Sequence, residues 1–588
     1  MNPLQKIQTW MKDHSIDVFI INRTDEFLGE YIASYAERLQ WISNFSGSSG
    51  KAIIFQEKAY LFVDGRYTIQ AHEQTDSEFF LVKHLQDYWN FLEELCFEGK
   101  IIAIDPTLHS VEEVEKIQQI VDNRKSNLQY LDNNPINKYW ETQPFYPQSK
   151  AFIHDLKYVG KAGRDKIYEV QNSLASTFID YYILTSLDSI AWLLNIRGND
   201  IDYTPLLCCF VIIPQKGNVE LFVEEKKIRS IKNELEKFVN FHSFESIYEF
   251  IGKIGKDKIV GMDEKQTVYN FKKICLNSDI TINYLSNPCT YPKAQKNEIE
   301  LSGARNANIR DGASITKFLY WLKNIMKISE TNEINAADYL LNLRKENELF
   351  YSPSFDTISA FGPHAALPHY RVSPETNLSF ENNSIYLVDS GVQYRDGTTD
   401  ITRTVVFGKA TNEQKDRFTR VLKGHIAIAT AEFASNSVGS TLDPLARESL
   451  QAIGCDYDHG TGHGIGSFLS VHEGPQRIAK NQGLSDGIIY PGMILSNEPG
   501  YYKINEYGIR TENLIIARIK SNNTMFFETI SWAPIDRDLI EKNILLDNEI
   551  NWINIYHQDV YNKLSPYLKS QEKEWLAMVT MPLLKDNK

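Results

Sequence analysis

The sequence predicts a multidomain protein in which two α/β domains precede an α+β domain. At 588 residues the chain is too long for one hydrophobic core. The pattern Trp-apolar-x-Asn-apolar-x-Gly occurs twice, at 41–47 and at 192–198. Two hairpin patterns, each carrying a pair of carboxylates, follow within 384–517. The repeat indicates a duplicated domain, and the hairpins indicate a separate domain with a different architecture.

The repeat keeps the same neighbours in both copies. DVFII precedes the first copy and DYYIL the second; KAIIF and AYLFV follow the first, and CCFVII and VELFV follow the second. Because the order of the strand-like runs is shared, duplication is favoured over a chance match. We expect the first domain over 1–145 and the second over 146–295, connected by the Pro- and Asn-rich stretch 133–150.

A second break, SNPCTYPKAQKNEIE at 286–300, opens the third domain. A long amphipathic helix is predicted to start near Lys296 and to run past Trp321. The helical segments and the hairpins over 296–530 together predict an α+β domain. The tail over 531–588 has apolar residues at helical spacing and is expected to be mostly helical.

Composition excludes several classes of partner. The chain is 42% hydrophobic and 23% charged, with a net charge of −14 that argues against nucleic acid or an anionic membrane. Its longest apolar run, LLCCFVII at 206–213, is far shorter than the ~18 residues of a membrane span. The N-terminal segment lacks a continuous apolar stretch, so we expect no signal peptide.

The cysteines show neither the spacing of a metal knuckle nor that of a disulfide framework. Adjacent Cys208 and Cys209 lie in a strand-like run, where small buried hydrophobic residues are the simplest interpretation. A reducing cytoplasm fits this pattern best. The six cysteines are Cys96, Cys208, Cys209, Cys275, Cys289 and Cys455.

The first hairpin, SIYLVDSGVQYRDGTTDITRTVVFG, carries Asp389 and Asp400 on either side of a loop that contains Asp396-Gly397. Because the loop midpoint falls near Arg395, the two aspartates are expected to face each other across the ladder. Their Cβ atoms would then be about 5 Å apart. This separation suits two metal ions spaced roughly 3.5–4 Å apart.

A second hairpin, MILSNEPGYYKINEYGIRTENLIIA, repeats the arrangement with Glu498 and Glu512 around a loop centred on Asn505. Polar loop residues are ordinary at hairpins. However, Asp389 and Glu498 each follow an apolar run, YLV or MIL, where a buried carboxylate needs a compensating partner. The paired hairpins therefore favour a metal site.

The segment between the hairpins supplies nitrogen donors and glycines. His459, His463 and His472 fall within 14 residues of a chain that has 13 histidines in all. The four alternating glycines at 460–466 superficially suggest phosphate binding, but no Lys-Ser/Thr follows them and no βαβ unit surrounds them. A donor set of four carboxylates and one imidazole, without thiolate, favours Mn²⁺, with Co²⁺ or Zn²⁺ as alternatives.

Several motifs carry a resemblance to a known family. They are LPHY, VDSG, TTDITRT, HGTGHGIG, VHEGP, SNEPGYY and GIRTEN. The chain resembles the M24 "pita-bread" metallopeptidases, and within them the three-domain aminopeptidase P branch. WISNFSGSSG, FVDGRY and SLDSIAWLLNIRG extend the likeness over essentially the whole chain. The resemblance implies two creatinase-like α/β domains followed by a pita-bread catalytic domain with a helical tail.

The resemblance also implies residue roles. Asp400 and Glu512 would bridge two ions, and Glu498 would also move a proton to the leaving nitrogen. His369 and His472 would stabilise the charge that develops on the scissile carbonyl, and Arg510 would support a ligand carboxylate. For His459 two alternatives stay open, contact with substrate or ordering of the glycine loop. The implied metal ligands are Asp389, Asp400, His463, Glu498 and Glu512; the implied substrate-binding residues are Arg66, His369, His459, His463, His472, Glu498 and Tyr502.

The activity implied is release of an N-terminal residue when proline follows it, by a cytoplasmic homodimer. Prolidases share the metal site but cut dipeptides and usually lack the middle domain. Creatinase-like hydrolases lack the metal ligands that are present here. A non-catalytic interaction protein on the same fold is a third alternative. The native metal, the preferred first residue and the physiological peptide are not predicted from the sequence.

Overall fold

The computed structural model describes residues 1–95, 98–480, 487–521 and 523–585. Cys96 lies outside these residues. The chain forms two compact units, and each is described by itself. Unit 1 contains Met1–His154 and Lys161–Cys289, and unit 2 contains Asp155–Gly160 and Thr290–Lys588.

The first half of unit 1 is a six-stranded sheet with a hydrophobic core on each face. Alternate residues of one strand supply the two cores: Phe19 and Ile21 join one cluster, and Val18 and Ile20 join the other. The strands are β1 (Val18–Asn22), β2 (Lys51–Phe55), β3 (Ala59–Val63), β4 (Phe80–His84), β5 (Ile101–Ile104) and β6 (Asn127–Tyr130). The helices are α1 (Pro3–Asp13), α2 (Arg38–Ser43), α3 (Thr68–Gln74), α4 (Tyr88–Leu95), α5 (Val111–Asn123) and α6 (Pro135–Tyr139).

The second half of unit 1 repeats this topology. Its strands are β7 (Phe152–Ile153), β8 (Tyr181–Leu184), β9 (Ile196–Arg197), β10 (Phe210–Pro214), β11 (Val219–Phe222), β12 (Val239–His242), β13 (Ile259–Met262) and β14 (Thr281–Tyr284). The helices along this stretch are α7 (Leu156–Val159), which belongs to unit 2, α8 (Gly163–Ala175), α9 (Leu187–Leu194), α10 (Glu225–Ile228), α11 (Lys232–Leu235), α12 (Ile247–Gly252) and α13 (Tyr269–Asn277).

The two sheets have matching strand orders, β4-β3-β2-β1-β5-β6 and β12-β11-β10-β8-β13-β14. The parallel and antiparallel pairs occur at the same places in both. The repeated asparagine has the same structural role in each copy: Asn44 ends α2 and Asn195 ends α9, both in the left-handed conformation, with φ of 63° and 53°. The predicted duplication is confirmed.

Unit 2 is the α+β part of the chain. Its helices are α14 (Thr290–Ala294), α15 (Glu298–Asn324), α16 (Glu333–Lys345), α17 (Asn412–Ala429), α18 (Asp443–Gln451), α19 (Asp547–Leu564) and α20 (Ser570–Val579). Its strands are β15 (Phe350–Pro353), β16 (Ile358–Phe361), β17 (Ser384–Ser390), β18 (Val392–Tyr394), β19 (Gly397–Thr398), β20 (Ile401–Phe407), β21 (Glu432–Ala434), β22 (Gly462–Gly464), β23 (Glu473–Ile478), β24 (Ile494–Asn497), β25 (Gly500–Lys503), β26 (Tyr507–Arg510), β27 (Asn513–Ser521) and β28 (Thr524–Thr529).

The long helix α15 and the C-terminal helices form the core of unit 2 with the central strands. Asn297 caps α15 by accepting hydrogen bonds from the backbone of Ile299 and Glu300, which sets its start close to the predicted position. Strands β16, β17 and β20 form one sheet, and β21-β28-β27-β24-β22-β23 form another. Residues of α15, α17, β17, β20, α19 and α20 share one hydrophobic cluster. The predicted helical tail therefore packs within this unit.

None of the helices in the described residues is long and apolar enough to cross a membrane. The five described cysteines form no disulfide with one another. Burial raises the pKa of the Cys209 thiol to about 12, as expected for a small buried hydrophobic residue in a strand.

Candidate metal centre

The first carboxylate pair lies on the hairpin of β17 and β20, in a register that differs from the predicted one. Asp389 is opposite Thr402, so Asp400 lies two residues along from the position facing Asp389. The reason is the turn: Tyr394 pairs with Gly397, which leaves a two-residue loop and moves the midpoint of the hairpin later in the chain. A shift of two residues keeps a side chain on the same face of the ladder. The aspartates are diagonal neighbours rather than directly opposed.

The second hairpin has the expected symmetry. Strands β25 and β26 meet at a turn that contains Asn505, whose φ is 62°. Beyond this ladder, β24 and β27 pair Asn497 with Asn513. Glu498 and Glu512 occupy equivalent positions between the two ladders, one residue after Asn497 and one before Asn513. The two glutamates therefore lie at the same position along the paired strands.

Thr402 joins the two hairpins. The backbone N–H of Glu512 donates to the carbonyl oxygen of Thr402 at 3.2 Å, and the Thr402 hydroxyl donates to Glu512 Oε2 at 2.7 Å. Ligand atoms of Asp400, His463 and Glu512 all lie within 4.8 Å of one another. Aspartates and glutamates from separate hairpins thus converge on one histidine.

His463 lies in β22 and presents one ring nitrogen to these carboxylates. Its Nδ1 lies 3.0 Å from the carbonyl oxygen of Gly464, which can only accept, so Nδ1 carries the proton. Its other ring nitrogen, Nε2, lies 3.5 Å from Asp400 Oδ2 and 3.3 Å from Glu498 Oε1. A backbone carbonyl that fixes the tautomer in this way is the usual companion of a metal-bound imidazole.

Arg510 holds Asp389 from the side. Its guanidinium donates to Asp389 Oδ2 at 2.6 Å, to the Tyr502 hydroxyl at 2.6 Å and to the carbonyl oxygen of Pro368 at 3.3 Å. The charge on Arg510 is buried with that of Asp389, as a compensated pair requires. One oxygen of Asp389 is therefore engaged by the protein, and the other, Oδ1, remains for a different partner.

His459 belongs to the same chain of hydrogen bonds. Its Nδ1 donates to the carbonyl oxygen of Gly460 at 2.8 Å, so its Nε2 accepts from the Tyr502 hydroxyl, also at 2.8 Å. Tyr502 in turn accepts from Arg510. His459 thus contacts Gly460 of the glycine loop and, through Tyr502, Arg510; its contact with substrate stays a prediction.

The donor set fits divalent metal ions. Asp389 Oδ1, Asp400 Oδ1 and Glu512 Oε1 are buried and have no hydrogen-bond partner in the described part of the chain. Burial and then mutual repulsion raise the pKa of Asp400 and that of Glu512 well above their usual range. Burial, opposed by Arg510, raises the pKa of Glu498 to about 7. Buried carboxylates with unsatisfied oxygens need cations, which oxygen-rich sites bind in the form of Mn²⁺ or similar ions.

The two remaining histidines flank this group. The rings of His472 and His463 lie 4.3 Å apart at 80°. His369 follows Pro368, whose carbonyl accepts from the arginine that holds Asp389. Each histidine is partly exposed, as a group that contacts substrate must be.

Arg66 lies in unit 1, where its guanidinium forms two parallel hydrogen bonds with the carboxylate of Asp64, at 2.9 and 2.8 Å. Its predicted contact with substrate stays a prediction.

Sequence reasoning missed several residues that hold the ligands. Ser496 accepts from the backbone of His463 at 2.9 Å and donates to Glu498 Oε1 at 3.1 Å. The alternation of the strand offers a signal for both Ser496 and Thr402, since each lies two residues from a ligand and therefore on the same face. Arg403 carried no such signal: it donates to the Glu512 carbonyl at 2.7 Å from the opposite face.

Comparison with known proteins places the chain in a family. Over 598 residues the chain is 36% identical to a protein of Laccaria bicolor described as a probable Xaa-Pro aminopeptidase P, and the match covers 99% of this chain and 93% of that protein. The family model for metallopeptidase family M24 matches residues 302–518. The chain belongs to metallopeptidase family M24. Models of the creatinase/prolidase N-terminal domain match 3–133 and 142–300, and a model of the C-terminal region of peptidase M24 matches 523–583.

Solved structures of the family show the same architecture. An X-prolyl aminopeptidase of Caenorhabditis elegans, described as a cytosolic enzyme with a di-nuclear active site, has a TM-score of 0.94 and 31% identity, and the match covers 99% of each chain. An Xaa-Pro dipeptidase of Bacillus anthracis has a TM-score of 0.53 and 24% identity and matches 64% of this chain. The second likeness shows the fold alone.

Proposed function

We propose that this protein is a metal-dependent aminopeptidase that hydrolyses the bond between an N-terminal residue and a following proline. The observation that carries the proposal is the end-to-end similarity to relatives described as Xaa-Pro or X-prolyl aminopeptidases, which includes the duplicated N-terminal half. The complete set of buried carboxylates and the oriented imidazole make the site chemically competent for this reaction.

Five side chains would hold two ions, with Asp400 and Glu512 shared between them; the ligands are Asp389, Asp400, His463, Glu498 and Glu512. The donor set of oxygen with one imidazole favours Mn²⁺, with Co²⁺ and Zn²⁺ as alternatives. Such ions lower the pKa of a water molecule and polarise a carbonyl group.

The surrounding residues fix the orientation of these ligands before substrate arrives. Arg510 engages Asp389 Oδ2 and leaves Oδ1 without a protein partner. Thr402 does the same for Glu512, whose Oε1 is left without a protein partner. The Gly464 carbonyl keeps the proton of His463 on Nδ1. Preorganisation of this kind removes reorganisation from the chemical step.

Three side chains would transfer the proton and stabilise the negative charge that develops during the reaction. Glu498 would take a proton from the attacking water and deliver it to the proline nitrogen as the bond breaks, which requires a carboxylate within hydrogen-bond reach of both. His472, beside His463, and His369, beside the Arg510 contact, would donate to the carbonyl oxygen as it gains negative charge. Arg66 is proposed to contact the substrate, and His459 and Tyr502 are proposed to support the substrate side of the site.

A requirement for proline has a physical basis. The proline ring fixes φ and removes the amide N–H, so an enzyme cannot bind a peptide with proline in second place through a hydrogen bond from that N–H. A pocket shaped for the ring then selects it.

We further propose that the protein acts in the cytoplasm, as a homodimer, on peptides rather than on nucleic acid or membranes. The description of the C. elegans protein as cytosolic supports the location. The net charge of −14 supports the exclusion of nucleic acid.

Two other functions would use the same fold. A prolidase would cleave Xaa-Pro dipeptides, but the dipeptidase of B. anthracis matches only 64% of this chain. An interaction protein without activity would not need unsatisfied buried carboxylates around an oriented imidazole.

The test is a substrate series on metal-reconstituted protein. Xaa-Pro-Yaa should be cleaved with release of the first residue, Xaa-Ala-Yaa and the N-acetylated tripeptide should be poor substrates, and Xaa-Pro should be slower than Xaa-Pro-Yaa. Asp400→Asn removes a shared charge and should abolish turnover while circular dichroism stays unchanged.

Each other outcome selects a different function. Faster cleavage of the dipeptide would establish the prolidase alternative. Absence of cleavage with every divalent metal would favour the interaction protein, and full activity after chelation would exclude the metallopeptidase.

A further inference from the structure

Glu333, at the start of α16, is a buried carboxylate outside the metal centre, and its side chain is completely inaccessible to solvent. Its Oε1 accepts from the backbone of Phe361 at 2.7 Å and from His364 Nδ1 at 2.9 Å. Its Oε2 accepts from the Tyr370 hydroxyl at 3.1 Å and from the backbone of Leu378 at 2.9 Å. Four donors from one continuous stretch of chain thus converge on a single anion.

That stretch carries His369. It leaves β16 at Phe361, forms a short 3₁₀ turn and reaches Tyr370, whose ring stacks on His364 at 4.3 Å. His369 therefore lies between Tyr370, which Glu333 holds, and Pro368, whose carbonyl accepts from Arg510. His369 is thus the single residue between two neighbours, Pro368 and Tyr370, that each form a hydrogen bond with another part of the unit.

The segment is also pressed against the hairpin that carries the glutamate ligands. A Cβ added to Gly508, in β26, would lie 1.6 Å from the carbonyl oxygen of Ala365, so only glycine permits this approach. The loop is consequently fixed by its close backbone approach to β26 and by its hydrogen bonds to Glu333.

We infer that Glu333 is a positioning residue for His369, and this inference rests on the proposed function. A carboxylate that accepts from two backbone N–H groups and two side chains determines where the loop backbone lies. A neutral isostere cannot do so, because an amide presents an NH₂ group to donors that need an acceptor. The loss should appear as slower turnover, since a displacement of about 1 Å in a catalytic group can cost up to about 10²-fold in rate.

The test is a double-mutant cycle of Glu333→Gln and His369→Ala, with a cleavable Xaa-Pro-Yaa peptide and bound metal measured for every variant. Glu333→Gln alone should lower kcat by about 10- to 100-fold with metal content unchanged and KM within about twofold. In the His369→Ala background the same change should cost less than about twofold, because the residue through which it acts is gone.

Glu220 provides a matched control. Its carboxylate lies 2.5 Å from His242 Nε2 in unit 1, so Glu220→Gln disturbs a glutamate–histidine contact in the unit that contains none of the proposed metal ligands. It should leave kcat unchanged.

Should Glu333→Gln fail to fold, Tyr370→Phe removes one donor and keeps the carboxylate, and it should lower kcat by about two- to tenfold only when His369 is present. Equal losses in both backgrounds, unchanged kcat in the single variants, or loss of metal would overturn the inference. An inactive wild-type protein would instead refute the proposed aminopeptidase activity, so the two failures are distinguishable.

Discussion

Two buried glutamates, Glu333 and Glu473, are neutralised in different ways; Glu333 binds Tyr370, the residue after His369, and Glu473 directly follows His472. Glu333 accepts from backbone N–H groups, a tyrosine and a histidine. Glu473, directly after His472, is paired with the ammonium groups of Lys293, at 2.9 Å, and of Lys296. Both carboxylates are fully buried.

The difference concerns what remains when the charge is removed. The partners of Glu333 are hydrogen-bond donors on residues 361–378. Loss of the anion leaves these donors without their acceptor, so the loop that carries His369 is held less firmly. Around Glu473 the partners are two buried cations, so loss of the anion leaves like charges facing each other. We therefore expect changes at Glu333 to act mainly on turnover and changes at Glu473 to act mainly on folding.

The largest expected effect is that of Glu473→Gln on stability. Breaking a buried ion pair from one side costs about 3–5 kcal/mol, because the remaining charge is uncompensated. Urea unfolding with and without metal measures this loss. Glu432→Gln, at an exposed pair with Lys520, is the control and should change stability by less than about 1 kcal/mol. A loss below 1 kcal/mol in Glu473→Gln would contradict the assigned role of the lysines.

The next effect separates His472, which precedes Glu473, from His463, the histidine proposed to bind metal. His472→Ala should keep its metal and lose about 10²–10³-fold in kcat, the typical cost of removing one donor to a developing oxyanion. His463→Ala should lose both metal and activity, because its Nε2 faces Asp400 and Glu498. Metal analysis of both purified variants distinguishes them. Equal metal loss would mean that His472 is also a ligand.

A smaller effect is the pH dependence that Lys296 confers. Burial lowers the pKa of Lys296, and the attraction of Glu473 opposes the shift. Between the lowered pKa in the folded state and the ordinary value in the unfolded chain, the unfolded chain binds the extra proton, so stability rises with pH across this window. The slope approaches about 1.4 kcal/mol per pH unit. Lys296→Met should remove this component from urea unfolding curves at pH 7–10, and identical slopes would exclude it.

The sequence predicted the grouping of the proposed ligands better than the residues that support them, because each pair of proposed ligands is related by one local hairpin. Glu498 and Glu512 are related by one turn at Asn505, so their spacing alone places them together. For Asp389 and Asp400 the predicted register was wrong by two residues, because the turn between Tyr394 and Gly397 pairs Asp389 with Thr402 and not with Asp400. The repeated Trp–Asn pattern likewise predicted the duplicated sheet through a helix end that is local in the chain.

The supports depend on contacts between distant segments. Glu333 lies 28 residues from Phe361 and 37 from Tyr370, and Lys296 lies 177 residues from Glu473. No periodicity or turn pattern joins such positions, and a glutamate at the start of a helix is also an ordinary surface choice. Only the packing of unit 2 shows that these side chains are buried.

The smallest expected effect is that of Ser359→Ala, which tests whether turnover depends on the carboxylate of Glu333 or on the backbone around it. The Ser359 hydroxyl lies 2.7 Å from the carbonyl oxygen of Glu333 and 2.7 Å from the Tyr386 hydroxyl. Ser359→Ala therefore removes neutral hydrogen bonds in the same place, at a cost of about 1 kcal/mol in the free energy of unfolding. It keeps all four donors on the carboxylate, so kcat should stay within about twofold of wild type. Urea unfolding and steady-state kinetics on the same preparation measure both quantities. A fall in kcat as large as that of Glu333→Gln would show that any disturbance near α16 slows turnover, and Glu333 would then have no distinct part in placing His369.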